Sequence, residues 1–347
     1  MGTADRPLDA SALRDWAHAV VSDLILHIDE INRLNVFPVA DSDTGVNMLF
    51  TMRAAVVEAD LHANSQADAE DVARVAAALA AGALNGARGN SGVILSQILR
   101  GIAEVTATAA AASGAVLRAV DANALGAALW RGVELVVASM GGVEVPGTIV
   151  SVLRAAAGAV DQCAHEGLAG AVTAAGDAAV IALEKTPEQL DVLADAGAVD
   201  AGGRGLLVLL DALRSTICGQ APARAVYEPS PRALPTDTAT QRPAPQFEVM
   251  YLLAVCDAAA ADQLRDRLKE LGESVAIAAA PPDSYSVHVH TDDAGAAVEA
   301  GLAVGRVSRI VISALGSGTS GRSSTATVPP SCSPGRAPAC CDRVQTP

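Results

Sequence analysis

Eight stretches with a helical period of apolar residues fill the sequence before residue 220, and they constrain the fold more than any other feature. Polar or glycine-rich breaks separate them, and their predicted bounds are 10–34, 46–60, 67–84, 91–111, 121–140, 147–167, 169–184 and 203–218. Aromatic residues make up only 2% of the chain, so the core must be built from alanine, valine and leucine, which suit closely packed helices. The sequence therefore predicts a mainly α fold that begins with a helix-only domain over 9–219.

The remaining sequence changes its pattern twice. A proline-rich stretch, 220–246, has neither a helical nor a strand period and is predicted to be a linker. Residues 247–315 alternate between strand and helix signals in the order βαββαβ, which predicts a small α/β domain of the ferredoxin-like kind. Residues 316–347 are rich in serine, proline, glycine and cysteine, and we expect a disordered tail.

The charge and the cysteines exclude several classes of protein. A net charge of −15, with lysine only at Lys185 and Lys269, offers no cationic stripe to a nucleic acid. The sequence has neither a secretion signal at its start nor a window of about 18 uninterrupted apolar residues, so we expect no transmembrane segment and a cytoplasmic location. The six cysteines form neither a disulfide framework nor a CxxC zinc motif.

Glycine-rich polar loops alternate with plain turns between the predicted helices. In an antiparallel array the first, third, fifth and seventh connections lie at one end. These are the glycine-rich ones: PVADSDTG (38–45), NGARGNSG (85–92), MGGVEVPGT (140–148) and a connection ending in GAVDAGGRG (197–205). Each runs into a helix N-terminus, where unpaired N–H groups attract phosphate or carboxylate. The functional site is therefore expected at this end.

Asp41 and Asp43 in the first of these loops are candidate metal ligands and the candidate catalytic residues. Two carboxylates at i and i+2 in a tight turn can converge on one hard cation, and magnesium is the natural candidate. An EF-hand is excluded, because its glycine and its glutamate would fall at Val46 and Met52. The alternative is that Asp43 and Thr44 only cap the following helix.

The loop GARGNSG (86–92) is not a P-loop, because it lacks the GxxxxGK[ST] pattern and any lysine. Alone it would be a helix C-cap followed by an N-cap at Ser91. Beside a magnesium loop, its serial N–H groups and Arg88 would instead cradle the phosphates of a nucleotide. Another wall of that pocket would come from Thr148, Asp200, Gly202, Gly203 and Arg204.

His288 and His290 lie two apart on a predicted strand, so both side chains share one face of the sheet. Two histidines at this spacing can ligate zinc, and Glu248 on the first strand of the domain, or Cys256 just beyond it, could complete the site. The alternative is a solvated sheet face. The other histidines are solitary and are assigned no role.

Four segments resemble motifs of the fatty acid kinase A family, in that family's order, over about residues 9–314. LNVFPVADSDTGVNM (34–48) is similar to the family signature LNVFPVPDGDTGTNM. The others are GARGNSGVILSQILRG (86–101), TPEQLDVLADAGAVDAGGRGLL (186–207) and VHVHTDDAGAAVEA (287–300). The resemblance implies an eight-helix antiparallel barrel of the DhaL type (dihydroxyacetone kinase nucleotide-binding domain), followed by a middle domain.

The resemblance also implies an activity: ATP and Mg²⁺ would serve to phosphorylate a fatty acid presented by a separate DegV-like protein, giving an acyl phosphate. Asp41 and Asp43 would hold Mg²⁺, with Asn35 near where related kinases use a third aspartate. The middle domain would support a homodimer and offer a zinc site at His288, His290 and Glu248. The nucleotide would be bound at the matching positions Thr44, Gly45, Asn47, Arg88, Gly89, Asn90, Ser91, Gly92, Thr148, Asp200, Gly202 and Gly203.

The sequence departs from the family pattern at three places. The family's KPVEGT is VEVPGT here, with Val143 in place of its lysine and Pro146 in place of its glutamate. Glu248 stands where the family often has a cysteine. The family's C-terminal DegV-like domain is not matched, and the tail resembles a frameshifted or truncated end. Two other functions stay open: an ATP-binding subunit of the dihydroxyacetone (glycerone) kinase kind, and a non-catalytic nucleotide-binding scaffold.

Overall fold

A computed structural model describes residues 6–62, 70–230, 245–280 and 284–315. Eight long helices lie close to the predicted stretches, which confirms the mainly α fold, and two short ones are added. The helices are α1 (Ala10–Arg33), α2 (Thr44–His62), α3 (Val72–Asn85), α4 (Gly89–Ser113), α5 (Ala122–Ser139), α6 (Ile149–Cys163), α7 (Gly167–Glu184), α8 (Thr186–Gln189), α9 (Asp191–Ala196) and α10 (Ala201–Cys218).

The prediction of a helix-only domain is wrong in one detail. Two short strands, β1 (Leu8–Asp9) and β2 (Ala119–Val120), pair antiparallel directly before α1 and α5. Asp9 and Asp121 then cap these helices, each accepting a backbone N–H three residues ahead at 2.8 Å. A strand of two residues is too short to give a period of two, so the sequence could not reveal it.

The long helices close into a barrel. Each packs against its neighbours in sequence, and α1 packs against α10. Small residues let helices approach closely: a Cβ on Gly101 of α4 would stand 2.6 Å from the Gly132 nitrogen of α5. The core is built mainly from aliphatic side chains, as the low aromatic content predicts, with Trp16 among its few aromatic residues.

Two helical runs, Gly89–Ser113 and Ile149–Glu184, have the length and composition of a membrane span. Both supply buried residues to the barrel core, among them Leu95 and Leu153. A core helix of a compact domain passes the same test of length and hydropathy, so these runs are weak indications of a membrane protein.

The seventh connection, predicted as a loop, contains the short helices α8 and α9. α9 ends at Gly197, whose φ of +57° lies in the left-handed region that favours glycine. Thr186 at the start of α8 is buried, and its Oγ1 accepts the N–H of Asp200 at 3.0 Å. This hydrogen bond thus joins the beginning of the connection to its end. Helices of four and six residues are too short to show a helical period.

The second domain has the predicted βαββαβ order. It contains β3 (Phe247–Ala254), α11 (Ala258–Leu271), β4 (Gly272–Ala280), β5 (Ser284–Thr291), α12 (Ala294–Val304) and β6 (Arg306–Ala314). The strands form one antiparallel sheet in the order β4-β5-β3-β6, which is the ferredoxin-like arrangement. β3 and β5 are its central strands, so His288, His290 and Glu248 lie in the middle of the sheet.

The sheet packs against the barrel at the end that carries the glycine-rich loops. A small apolar cluster joins Val93 of α4 to Met250, Ala276 and Ala278 of the sheet. Arg265 of α11 donates to the Ser139 carbonyl oxygen at the end of α5, at 2.8 Å. The two domains therefore meet beside the loops before α2 and α4.

The predicted linker is described only in part. Residues 221–230 form neither helix nor strand, and they pack on the helical domain, with Arg224 bound to Asp211 of α10. Residues 231–244 and the predicted tail, 316–347, lie outside the described residues.

Candidate functional site

The aspartate pair lies in a half-buried turn just before α2. Ser42, between the two aspartates, has a φ of +58°, in the left-handed region, and this bends the chain sharply. The carboxyl groups of Asp41 and Asp43 are close enough to interact electrostatically. Asn35, just after α1, donates from Nδ2 to Asp41 Oδ1 at 2.5 Å. All three side chains line one cleft.

Asn32, which sequence reasoning missed, caps α2 from the last turn of α1. Its Oδ1 accepts the N–H groups of Gly45 at 2.8 Å and Val46 at 3.4 Å. An N-cap residue would normally supply this acceptor from its own side chain. Because Asn32 does so instead, the carboxylate of Asp43 remains available in the cleft. The capping alternative for Asp43 therefore loses its main support.

Both aspartates have raised pKa values, because they are partly buried and close to other carboxylates. Burial is the main cause that raises the pKa of Asp41, and the nearby Glu248 carboxylate adds to it. Burial and the charge of Asp41 raise the pKa of Asp43 to about 8. Two carboxyl groups this close resist simultaneous ionisation, and a divalent cation would relieve the repulsion. The donor set therefore fits Mg²⁺, which prefers carboxylate oxygens.

The loop before α4 forms the opposite side of the same cleft. Gly89, Asn90 and Ser91 line it as the first residues of the helix, so their N–H groups are at the positive end of the helix dipole. Ser91 Oγ lies 3.5 Å from the Thr44 Oγ1 at the start of α2. Asn90 Oδ1 is buried without a hydrogen-bond partner among the described residues. The starts of two helices thus converge beside the aspartates.

Of three further residues predicted to bind the nucleotide, one lines this cleft and two make packing contacts beside it. Asn47 lines the cleft, whereas a Cβ on Gly92 would stand 2.4 Å from Thr51 Oγ1, so close packing requires glycine there. Arg88 is exposed and stacks its guanidinium 4.0 Å from the centre of the Phe50 ring. The Arg88 side chain is thus directed along the surface beside the cleft.

The other predicted wall lies at the starts of α6 and α10. Asp200 caps α10 by accepting the Gly203 N–H at 2.7 Å, and it also accepts from the backbone of Ile149. Burial raises the pKa of Asp200 to about 6. Thr148 is buried and donates to the Val145 carbonyl oxygen at 2.8 Å. These residues form a cluster of their own, next to the aspartate cleft rather than in its lining.

One contact joins the two parts of this wall, and another connects the wall with the rest of the site. A Cβ on Gly202 would stand 3.3 Å from the Ile149 side chain, which joins the starts of α6 and α10. A Cβ on Gly205 would stand 2.3 Å from Met48 Sδ, which places the first turns of α10 and α2 side by side. The odd-numbered connections therefore lie at one end of the barrel.

His290 and Glu248 of the middle domain reach the aspartate cleft, a juxtaposition that sequence reasoning missed. Glu248 and His290 line it together with Asp41 and Asp43, and a Cβ on Gly89 would stand 3.5 Å from Glu248 Oε1. Burial alone would raise the pKa of Glu248, but its hydrogen bond to His288 outweighs burial and lowers that pKa. The sheet thus supplies a carboxylate and an imidazole to the helical domain's site.

The histidines fit a metal centre better than a solvated sheet face, because both are buried. His288 Nδ1 lies 2.9 Å from the Ser274 carbonyl oxygen, which leaves Nε2 facing Glu248 Oε1 at 3.1 Å. His290 Nδ1 is buried without a partner among the described residues. Burial and His288 lower the pKa of His290 to about 4, so its ring is neutral. Ligand atoms from all three residues lie within 4.8 Å of one another.

A helical barrel with paired aspartates and glycine-rich helix starts at one end, joined to a small α/β domain, defines a class of kinase-like, nucleotide-binding proteins. The model of the DAK2 domain matches residues 38–215, and the model of the FakA-like middle domain, named for fatty acid kinase, matches residues 244–321. The chain belongs to the FakA-like family, since it combines a DAK2 domain with a FakA-like middle domain.

Curated relatives support this assignment. Protein YloV of Bacillus subtilis strain 168 is 36% identical over 225 residues, which is 64% of this chain and 38% of YloV. An uncharacterized protein of Staphylococcus saprophyticus is 36% identical over 206 residues, 56% of this chain and 34% of its own length. One from Staphylococcus aureus strain USA300 is 33% identical over 199 residues, 55% and 33% respectively. The chain thus spans 33% to 38% of the length of these relatives.

Proposed function

We propose that the chain is the ATP-binding subunit of a kinase that phosphorylates the carboxylate of a fatty acid and releases an acyl phosphate. A DegV-like protein would present the fatty acid, and the reaction would take place in the cytoplasm. Membership of the family supports a kinase-like, nucleotide-binding role. The acceptor, the partner and the product are inferred from the sequence resemblance.

The observation that carries the proposal is the position of the aspartate pair. Asp41 and Asp43 share a cleft with the N-terminal residues of α4, and α2 begins at Thr44 beside them. The carboxylates attract a cation, whereas the helix starts attract an anion. A magnesium-bound phosphate chain satisfies both requirements at once, because it presents the cation and the anion side by side.

Each residue of the cleft would have a distinct role. Mg²⁺, when bound, would neutralise charge on the phosphoryl group being transferred. Asp41 and Asp43 would hold it, and Asn35 would orient Asp41 through the Nδ2 hydrogen bond. The N–H groups of Asn90 and Ser91 would bind phosphate oxygens. No side chain is needed as a nucleophile, because phosphoryl transfer relies on positioning and electrostatics.

The middle domain would complete this site with a second metal. We assign zinc to Glu248, His288 and His290, which supply three ligands and leave a fourth position open. Because Glu248 and His290 line the aspartate cleft, the charge at this centre would act on the kinase site directly. We also propose a homodimer through the middle domain, where β6 forms an edge of the sheet, and light scattering of the purified chain would test it.

The decisive experiment mixes the protein with Mg·ATP, a fatty acid and a DegV-like protein, and measures acyl phosphate. Asp41→Ala should reduce its formation by on the order of 10²–10³-fold, the cost of removing one key electrostatic group. Asp60→Ala is the matched control, since Asp60 is an exposed acid at the far end of α2. Full activity of Asp41→Ala with an unchanged circular dichroism spectrum would overturn the site assignment.

The dihydroxyacetone kinase alternative uses the same cleft with a small ketose as acceptor. The presence of Glu248 and His290 in that cleft favours the fatty acid kinase, because the alternative needs only the helical barrel. Parallel assays with dihydroxyacetone and with fatty acid would separate the two. Binding of Mg·ATP without turnover of either acceptor would favour the non-catalytic scaffold.

A further inference from the structure

The first part of the predicted linker is bound to the barrel by a buried ion pair. Arg224 contacts Asp211 of α10 through Nη2 and Oδ1 at 2.7 Å and through Nε and Oδ2 at 3.0 Å. Both side chains are largely buried, at 17% and 15% exposure. A bidentate pair fixes orientation as well as distance. Residues 224–230, which we call the strap, therefore start from a fixed point on the barrel.

Tyr227 in the strap covers a second buried ion pair. Its backbone N–H donates to Glu30 Oε1 at 3.0 Å, and its ring centre lies 5.8 Å from the Arg204 guanidinium. Glu30 of α1 and Arg204 of α10 bind each other at 2.8 and 3.0 Å, with side chains 6% and 2% exposed. A buried pair is costly unless its remaining lone pairs are satisfied. The Tyr227 N–H of the strap supplies one of the donors that the Glu30 carboxylate needs in addition to Arg204.

The strap ends on the seventh connection. The Ser230 N–H donates to the Gly197 carbonyl oxygen at 3.0 Å. A Cβ on Gly197 would stand 2.8 Å from the Ser230 side chain, so the two segments lie in close contact. Tyr227 OH also lies 3.4 Å from Glu184 Oε1, at the last residue of α7.

These contacts bracket residues 185–203, which we call the nucleotide wall because they end in Asp200, Gly202 and Gly203. The strap contacts the chain just before the wall at Glu184, within it at Gly197, and just after it at Arg204. The wall in turn contacts the loop before α6, since Gln189 Oε1 accepts the Gly147 N–H at 2.9 Å. Hydrogen bonds thus connect the strap with the seventh connection, and the seventh connection with the loop before α6.

We propose that the strap holds the nucleotide wall in the position that nucleotide binding requires. The inference rests on the proposed function only for its consequence, the binding of Mg·ATP. Its structural part is independent: the wall consists of two short helices and turns, and such segments open more readily than long packed helices. Three contacts from outside the wall would suppress that opening.

The test pairs substitutions that remove a strap contact with substitutions that spare it. Ser230→Pro deletes the N–H that bonds to Gly197, whereas Ser230→Ala keeps it. Because Ser230 is exposed, neither substitution alters a buried side chain. Arg224→Ala releases the ion pair with Asp211. Arg214→Ala is its control: it removes the pairing of Arg214 with Asp177, a carboxylate that also lies 3.7 Å from Arg224 Nη1, but it keeps the bidentate pair of Arg224 with Asp211.

Amide hydrogen exchange across residues 185–203 measures the structural effect, and calorimetry with Mg·ATP measures the functional one. We expect Ser230→Pro and Arg224→Ala to accelerate exchange in the wall by about tenfold. They should also weaken Mg·ATP binding by about tenfold, with α4 exchanging as in the unaltered protein. The variants Ser230→Ala and Arg214→Ala should behave as the unaltered protein in both measurements.

Two results would overturn the proposal. Unchanged exchange in Ser230→Pro and Arg224→Ala, or an equal rise in their controls, would show that the strap does not hold the wall. Faster exchange with unchanged Mg·ATP affinity would show that nucleotide binding does not depend on the strap. If the unaltered protein binds no Mg·ATP, the proposed function fails, and the exchange measurement still decides whether the strap holds the wall.

Discussion

The backbone N–H of Gly89 lies 3.3 Å from the sulfur of Met250. This contact joins the glycine-rich loop before α4 to β3, the strand that also carries Glu248. On the helical side, a Cβ on Gly89 would stand 2.3 Å from Asn47 Nδ2, and the residue has a φ of +56°. The loop is therefore confined between the two domains, and only glycine fits there.

Replacing Gly89 by alanine should disturb both the loop and the contact between the domains. Alanine would incur about 1–2 kcal/mol for the left-handed backbone, and its Cβ would also displace Asn47. Gly114→Ala isolates the first cost, because Gly114 has a φ of +62° with nothing within 4 Å of its Cβ position. We expect Gly89→Ala to lower the free energy of unfolding more than Gly114→Ala, and to weaken Mg·ATP binding as well. Urea denaturation and calorimetry check this, and equal losses would contradict the steric argument.

Loss of the Asn32 side chain should destabilise the start of α2. Asn32→Ala leaves the N–H groups of Gly45 and Val46 without their acceptor, which should cost about 1 kcal/mol. Asn32→Asp retains an oxygen at the same position and should restore most of that stability. Urea denaturation measures the difference. Because the cap also positions the preceding turn, Mg²⁺ affinity should fall in Asn32→Ala, and an unchanged affinity would argue against that role.

The stability of the protein should depend on pH through Asp200. Burial raises the pKa of its carboxyl from 3.8 to about 6, so the folded state holds the proton more tightly. The stability that the folded state gains by holding this proton is fully present below pH 3.8 and is lost as the pH rises through about 6. The difference between these two pKa values corresponds to about 3 kcal/mol.

Asp200→Asn removes this titration and keeps an oxygen for the cap of α10. The free energy of unfolding of the unaltered protein, minus that of Asp200→Asn, should fall between about pH 4 and pH 6 and stay constant above that range. Urea denaturation over a series of pH values measures it. A difference that does not change with pH would mean that burial raises the pKa of the Asp200 carboxyl far less than the structure indicates.

The histidine pair should bind a transition metal. After incubation with zinc and dialysis, elemental analysis of the unaltered protein should find about one equivalent that His290→Ala lacks, with affinity reduced on the order of 100-fold or more. His165→Ala is the control, because His165 is exposed and far along the chain from the sheet. Equal zinc content in all three proteins would rule out the proposed centre.

The long elements of the fold could be predicted from the sequence because their apolar residues repeat with a clear period. The eight long helices and the βαββαβ order are such elements. The strands β1 and β2 and the helices α8 and α9 are shorter than a period can reveal. Their positions depend on contacts with distant residues, such as the hydrogen bond from Asp200 to Thr186.

The candidate site could be predicted only within each domain. Antiparallel helices must bring alternate connections together, so the shared end of the barrel follows from connectivity alone. The approach of Glu248 and His290 to Asp41 depends instead on how two domains dock, and no local pattern in the sequence encodes it. Asn32 was missed for a similar reason, because it caps a helix other than its own.

The strap also bears on where this chain can be divided. A fragment that stopped at the last residue of α10, Cys218, would expose the Glu30–Arg204 pair to water and leave Gly197 without the hydrogen bond from Ser230. A fragment extended to Ser230 would retain both contacts. A fragment meant to keep these contacts must therefore extend beyond the last helix of the domain, into the stretch whose sequence resembles a linker.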